Sequence, residues 1–317
     1  MTYHRRERRH DSRCLGSWWL IELNLDRIAG PGGIFAILAM DQRGTLRSML
    51  DKAGRPSGDA EMSAFKVDVI AALSPYASGV LTDVEYGVGP VRAAGALDGR
   101  AGLMIASERS PQPRWNDEYR NEYSPEQRGP RFVVEHGGAA LKFLLRWRPD
   151  RPAVEGEPDL AGEALDAVRQ VVEDCRAQGL PSVIEPLVSL TPQDDAAAAH
   201  RLVIRSAELL AGLRPDLLKL EWPGDAAGCA ELSEVCGHVP WTLLSAGVTY
   251  EAFVERVLVA MDAGASGYIA GRAFWGEAVA LIGAERQAFL RDIAVPRMTK
   301  LNAAIAGHGR PWKGVGQ

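Results

Sequence analysis

The stretch Asp216-Leu217-Leu218-Lys219-Leu220-Glu221-Trp222 places a lysine inside what otherwise reads as a buried strand. Side chains alternate along a strand, so Leu218, Leu220 and Trp222 share one face while Leu217, Lys219 and Glu221 share the other. A lysine aimed into a packed interior is costly, and chains accept that cost when the amine is paired or does chemistry. A desolvated lysine is a nucleophile able to form a Schiff base with a carbonyl. Two readings stand on this stretch alone: a Lys219 and Glu221 neighbour pair at a strand end, or a reactive amine.

Outward from that stretch, a short apolar run, a loop rich in Gly, Pro or Asp, and an amphipathic segment recur in turn. Residues 34–40 form the first run and residues 59–73 its helical partner; runs at 79–83 and 102–107 follow. Residues 108–130 break the rhythm with charges, prolines and aromatics, as a lid, a binding loop or a plain surface excursion would. Strands are then expected at 139–145 and 182–188. A helix is expected at 162–178, with Leu165, Val168, Val171, Val172 and Cys175 on one stripe and Gly179 as its cap. A helix from about residue 193 to 211 leads to the opening strand. Runs 241–245 and 266–271 flank a helix with Thr249 as N-cap and Gly264 near its end. Eight strands alternating with helices predict a single parallel (β/α)8 TIM barrel over residues 25–317, with an open doubly wound sheet as the competing topology.

Composition narrows the function classes. The chain has 317 residues, 46% of them hydrophobic, a net charge of −5 and a pI near 5.8, so no global basic field draws it to nucleic acid or an anionic membrane. No apolar run approaches the ~18 residues of a spanning helix. Cys14, Cys175, Cys229 and Cys236 form no CxxC pair, and a reducing cytoplasm fits best. Arg5, Arg6, Arg8, Arg9 and Arg13 crowd the start, so residues 1–24 read as an extension, either a solvated tail or a nucleic-acid arm.

In a barrel of this kind functional groups gather where strands end and loops begin. Ile37, Ala39 and Asp41 share a face of the first strand. In the fourth, Leu141, Phe143, Leu145 and Trp147 take the helix side and leave Lys142 toward the axis. Glu185 shares its parity with Val183 and Leu187 in the fifth, and Lys219 lies in the sixth with Glu221 beyond it. Singly, each reads as a snorkelling lysine or a paired acid. Together, two lysines and two carboxylates neutralise one another in an interior where lone charges are strongly unfavourable. They also supply what imine chemistry needs: a second ammonium favours the neutral, nucleophilic form of Lys219, and a carboxylate moves protons. The last two strands end in Ser245-Ala246-Gly247 and Gly271-Arg272, at the loops that commonly hold phosphate in these barrels. Glycine lets backbone N–H groups approach an anion, Arg272 adds a bidentate contact and Ser245 a hydroxyl, although turn glycines and a surface arginine would look the same.

The segments LAMDQRG, LTDVEYG, ALKFLLRW, VIEPL, LLKLEW, LLSAGV and IAGRAFWGEAV resemble, in order and spacing, the class I tagatose-1,6-bisphosphate aldolases and the related sulfofructosephosphate aldolases, DeoC/LacD-like Schiff-base enzymes. The resemblance covers roughly residues 25–285. It implies a barrel and a retro-aldol cleavage through a Schiff base, without metal or other cofactor. Matched motif by motif, Lys219 resembles the imine-forming lysine, Lys142 its electrostatic partner, and Glu185 the general acid/base, with Asp41 balancing the charge. Asp41 and Gln42 resemble substrate-contacting positions, and Ser245, Gly247, Gly271 and Arg272 correspond to the end that holds the phosphate of a dihydroxyacetone-phosphate half; beside the resemblance, Arg43 and Glu221 are further substrate-binding candidates. Departures fall in the extension, in Arg146 and Trp147, and in residues 108–130.

The expected substrate is a phosphorylated ketose such as tagatose 1,6-bisphosphate or 6-sulfofructose 1-phosphate. A homo-oligomer is expected, with neither nucleic acid nor membrane as partner. None of His4, His10, His136, His200, His238 and His308 lies in an HxxH or HExxH arrangement, as a zinc-dependent aldolase would want. Two other readings remain: an isomerase or epimerase working by acid/base chemistry alone, and a non-catalytic sugar-phosphate sensor. Spacing does not rank Arg43, Arg109 and Arg146 as holders of the substrate's distal end.

Overall fold

The structure, a computed structural model, describes residues 25–315; the Arg-rich extension assigned to residues 1–24 lies outside them. Eight parallel strands close into a barrel: β1 (Phe35–Met40), β2 (Gly79–Thr82), β3 (Gly102–Ala106), β4 (Ala140–Trp147), β5 (Ser182–Val188), β6 (Leu217–Leu220), β7 (Trp241–Leu244) and β8 (Gly267–Ala270). The ring closes where β1 pairs with β8, Ile37 opposite Ile269, and with β2, Leu38 opposite Val80. The barrel topology is the one the sequence pattern predicts, and the doubly wound alternative falls.

Strand alternation divides the core in two. Phe35, Ile37, Leu81, Met104, Val183 and Leu217 fill the axis. Leu38, Leu141, Phe143, Leu218, Leu220 and Trp241 point the other way into the helices. Each such side chain fully removed from water contributes about 1.5–3 kcal/mol, so this parity is strongly enforced and Leu217 facing the axis commits Lys219 to the same side.

Helices of the outer layer start where the sequence can cap them. Asp159, Asp195, Asp225 and Thr249 each accept a hydrogen bond from the backbone N–H three residues on, opening Leu160–Gln178, Ala196–Ala211, Ala226–Cys236 and Tyr250–Asp262. Gly179, at φ 65°, ends the first of these in the left-handed conformation expected of it. Two boundaries move inward: the helix expected from 193 starts at Ala196 because Asp195 caps it, and the strand read across 216–222 is regular only over Leu217–Leu220.

Residues 108–130 are ordered. Arg114–Trp115 and Glu118–Tyr119 form a short antiparallel ribbon around Asn116 and Asp117, both at positive φ, and helices Pro125–Arg128 and Pro130–Glu135 follow. The excursion is tied to the barrel by Asn121, whose side chain both donates to the carbonyl (2.9 Å) and accepts from the N–H (2.9 Å) of Arg146. β4 and β5 pair as far as Arg146–Leu187 and Trp147–Val188, making one tall wall at the barrel mouth.

Candidate active site

The side chains of Asp41, Lys142, Glu185 and Lys219 converge at the C-terminal mouth, each less than a tenth exposed. Glu185 bridges the amines: Oε1 lies 2.8 Å from Lys219 Nζ and Oε2 2.8 Å from Lys142 Nζ. Asp41 Oδ2 lies 2.7 Å from Lys142 Nζ. A third carboxylate, Glu108, completes the cage, with Oε1 3.3 Å from Lys142 Nζ and Oε2 accepting from the Leu144 N–H at 3.0 Å. The expected balance of two lysines and two acids is therefore extended, and the extra acid brings its own cation. Arg43 binds Glu108 side chain and carbonyl and lies 3.4 Å from Glu85, which in turn pairs with Arg128 at 2.7 Å.

Burial alone would raise the Asp41 carboxyl, but the charges of Lys142, Lys219 and Arg43 hold it well below the ordinary carboxylate range. Glu185 is likewise lowered, burial being overcome by Lys142 and Lys219. Burial works to lower Lys142, yet Asp41, Glu108 and Glu185 drive it above the ordinary lysine value, so it is a permanent cation at neutral pH. In contrast to Lys142, Lys219 has Glu185 as its one charged partner within 4 Å among the described residues.

The other sequence-predicted residues surround this cluster. Ser245 is buried at the end of β7, and Ala246 and Gly247 follow with φ of 49° and 82°. A Cβ on Gly247 would lie 2.8 Å from Arg272 Nη1, so the glycine makes room for that guanidinium. Gly271 packs against the Ala39 carbonyl, where a Cβ would come within 2.0 Å, so packing alone demands a glycine there. Burial lowers Arg272 from the ordinary guanidinium value, opposed by Glu185 and Asp41. Glu221 accepts from the Val188 N–H at 2.7 Å, and burial pushes its carboxyl up. The Gln42 side-chain oxygen is buried and has no hydrogen-bond partner among the described residues.

Two connected cavities open here. One of about 210 Å³ is lined by Lys219, Glu221, Ser245, Gly271 and Arg272. The other, about 360 Å³, is lined by Asp41, Arg43, Glu108, Lys142 and Arg146. Gln42, Glu185, Leu187 and Arg272 belong to both. A larger cavity of about 840 Å³ lies at the opposite end, among Gly30, Ile34, Tyr76, Ile305 and Pro311. It holds no comparable ionisable cluster, and the chemistry of these barrels belongs to the C-terminal mouth.

Sequence reading missed Glu108, Lys66 and Asp83. Glu108 had a signal, since it continues the axis-facing parity of Met104 and Ala106. Lys66 interrupts the apolar face formed by Met62, Phe65, Val69 and Ile70 in helix Asp59–Leu73, and it is fully buried against Asp83 at 2.6 Å.

A barrel whose mouth holds a bridged pair of buried amines with arginines at its rim is a frame suited to an aldolase, a carbon–carbon lyase. The sequence matches the DeoC/LacD family aldolase description over residues 35–277, and the chain belongs to that family. It is 27% identical to the tagatose 1,6-diphosphate aldolase of Listeria monocytogenes serotype 4a (strain HCC23), across 91% of this chain and 92% of that one. It is also 27% identical to tagatose 1,6-diphosphate aldolase 2 of Streptococcus agalactiae serotype III (strain NEM316), across 91% and 96%. An archaeal fructose 1,6-bisphosphate aldolase superposes with a TM-score of 0.62 at 20% identity, covering 90% of this chain and 99% of that one, a likeness of fold. Among the described residues no helix is long and apolar enough to cross a membrane.

Proposed function

We propose that the protein is a class I aldolase that cleaves a phosphorylated ketose, such as tagatose 1,6-bisphosphate or 6-sulfofructose 1-phosphate, to dihydroxyacetone phosphate and an aldehyde, with Lys219 as the Schiff-base lysine. The observation that carries this reading is the placement of Lys219 Nζ, buried at the cavity wall and 2.8 Å from Glu185. The names of the relatives support the substrate class.

Lys219 Nζ attacks the C2 carbonyl to give a carbinolamine, and loss of water leaves a protonated imine. Glu185 takes the C4 hydroxyl proton while the C3–C4 electron pair moves into the iminium, releasing the aldehyde and leaving an enamine. Protonation at C3 and hydrolysis return the amine and free dihydroxyacetone phosphate. Lys142, held charged by its three carboxylates, stabilises the oxygen of the carbinolamine, and Asp41 balances it. Gln42 offers its unpartnered oxygen to a substrate hydroxyl, and Arg272 with the Ser245–Gly247 turn receives the phosphate. The soluble cytoplasm is the natural setting for such a substrate.

Borohydride reduction in the presence of dihydroxyacetone phosphate tests the reading. Mass spectrometry is expected to place the reduced adduct on Lys219, and protein that reacts nowhere, or at another lysine, would refute it. Acid/base isomerisation leaves no adduct, so the same experiment decides between the two chemistries.

A further inference from the structure

We infer that Arg146 is the specificity residue for the end of the substrate distal to its C1 phosphate, binding the phosphate or sulfonate that the proposed substrates carry there. The inference rests on the aldolase reading above and assigns a residue of this chain to the distal end of its substrate.

The structure ranks the three arginines that the sequence left level. Arg43 is buried and its guanidinium is engaged by Glu108 and Glu85. Arg109 is more than half exposed and paired with Glu122 at 2.9 Å. Arg146 has no carboxylate within 4 Å among the described residues. Its guanidinium instead lies 5.2 Å from the centre of the Tyr119 ring, a contact that orients the group and leaves its donors available. Glu221 is near enough for the Arg146 charge to act on it, but its carboxylate is bonded to the Val188 N–H.

Position supports the same assignment. Lys142, Leu144 and Arg146 share parity on β4, so Arg146 stands above the cluster on the inner side of the tall β4–β5 wall. It lines the cavity of about 360 Å³ together with Lys142 and Glu185. β4 and β8 are four strands apart in the closed ring of eight, so Arg146 and Arg272 face each other across the mouth. A ketose with its C1 phosphate on Arg272 and its C2 at Lys219 therefore extends its other end toward Arg146. The residue is held for this task, because Asn121 fixes its backbone on both sides. A guanidinium forms charge-assisted, bidentate hydrogen bonds to phosphate or sulfonate oxygens and gains little from a hydroxymethyl group.

The test measures kcat/KM for ketose 1-phosphates whose sixth carbon bears a hydroxyl, a phosphate or a sulfonate, each as the tagatose and fructose epimers. In the wild type, one anionic series is expected to exceed the hydroxyl series, and that series identifies the group. In Arg146→Gln the anionic-to-hydroxyl ratio is expected to fall ~10- to 100-fold, the scale of a lost hydrogen bond to a charged group. Arg146→Lys is expected to recover part of the ratio, and borohydride trapping by dihydroxyacetone phosphate, which has no distal end, reports that the variants are folded. A ratio of one in the wild type, or an unchanged ratio in Arg146→Gln, would overturn the assignment while leaving the aldolase reading intact. Wild-type protein that forms no adduct would overturn both.

Discussion

Lys66 and Lys219 are both buried lysines of one barrel, and their surroundings differ in a way that separates structure from chemistry. Lys66 is enclosed by the Met40 carbonyl at 2.7 Å, the Gln42 carbonyl at 2.8 Å and Asp83 at 2.6 Å. An ammonium has three N–H donors; here two backbone carbonyls accept from it and the Asp83 carboxylate pairs with its charge. Lys219 has Glu185 at 2.8 Å and a cavity wall. Burial is common to the two; what differs is donor capacity left facing open space. Lys66 clamps the carbonyls on either side of Asp41 and thereby holds the β1 end of the site, whereas Lys219 is free to bond elsewhere.

The strongest way to break this comparison is to remove each amine. Lys219→Met is expected to abolish cleavage, by at least ~10⁴-fold, as removal of a covalent catalytic group does. Its thermal stability is expected to stay near wild type, because Lys142 still neutralises Glu185. Lys66→Met is expected to do the reverse. It leaves Asp83 buried and uncompensated, a loss of about 3–5 kcal/mol and a fall in Tm of roughly 10 °C. The remaining folded enzyme is expected to retain its Lys219 adduct with dihydroxyacetone phosphate. Calorimetry and borohydride trapping on both variants check the pair; a destabilised Lys219→Met or an unperturbed Lys66→Met would show that partner number does not separate the two roles.

The third lysine sharpens the comparison through pH. Asp41 and Glu185 are held below their ordinary values by Lys142 and Lys219 against the opposing effect of burial. Lowered carboxylates contribute stability that is present above the unfolded value of about 4 and is lost as pH falls through the folded value. Lys142 is raised, so its own contribution is fully present below the unfolded lysine value of about 10.4 and does not vary in acid. In Lys142→Met burial is no longer offset by the nearest cation, and ionised Asp41 and Glu185 become a cost. The stability gap between wild type and Lys142→Met, from denaturant titration, is expected to be widest near pH 7 and to narrow as pH falls, first above about 4 as the variant's raised carboxylates take up protons and then below it as those of the wild type do. A gap constant from pH 7 to pH 3 would mean that these carboxylates are not what Lys142 balances.

Most of the barrel was legible because alternation and capping are local. Parity assigned Lys142, Glu185 and Lys219 to the axis, and Thr249 marked one helix start, while the caps Asp159, Asp195 and Asp225 went unread. Glu108 was legible by the same parity, but it lay at the first residue of a polar stretch that hides its strand-end geometry. Lys66 was not legible as a clamp, because its partners lie on two other segments and become neighbours only when β1 and β2 pair. The ribbon at Arg114–Tyr119 escaped because strands of two residues carry no period to detect. The ranking of the arginines was hidden for a related reason: whether a guanidinium is spent depends on acids distant in sequence.

Arg272 gives the finest test of whether unspent donors mark function. Like Lys219 it lines the smaller cavity, and among the described residues no carboxylate pairs with it. Its guanidinium lies against the space that Gly247 leaves open, partly buried and lowered from its ordinary value by that burial. A desolvated cation without a paired carboxylate is unfavourable alone and is relieved by a bound anion, so on the proposed reading the substrate phosphate is the partner of Arg272. Arg272→Ala is therefore expected to raise KM for phosphorylated ketoses ~10- to 100-fold while changing weak turnover of unphosphorylated ketoses far less. Arg272→Lys keeps the charge but loses the planar fork, and is expected to fall between them. Equal effects on both substrate types would place the phosphate elsewhere at the mouth, and an unpaired arginine there would be only an arginine without a neighbour.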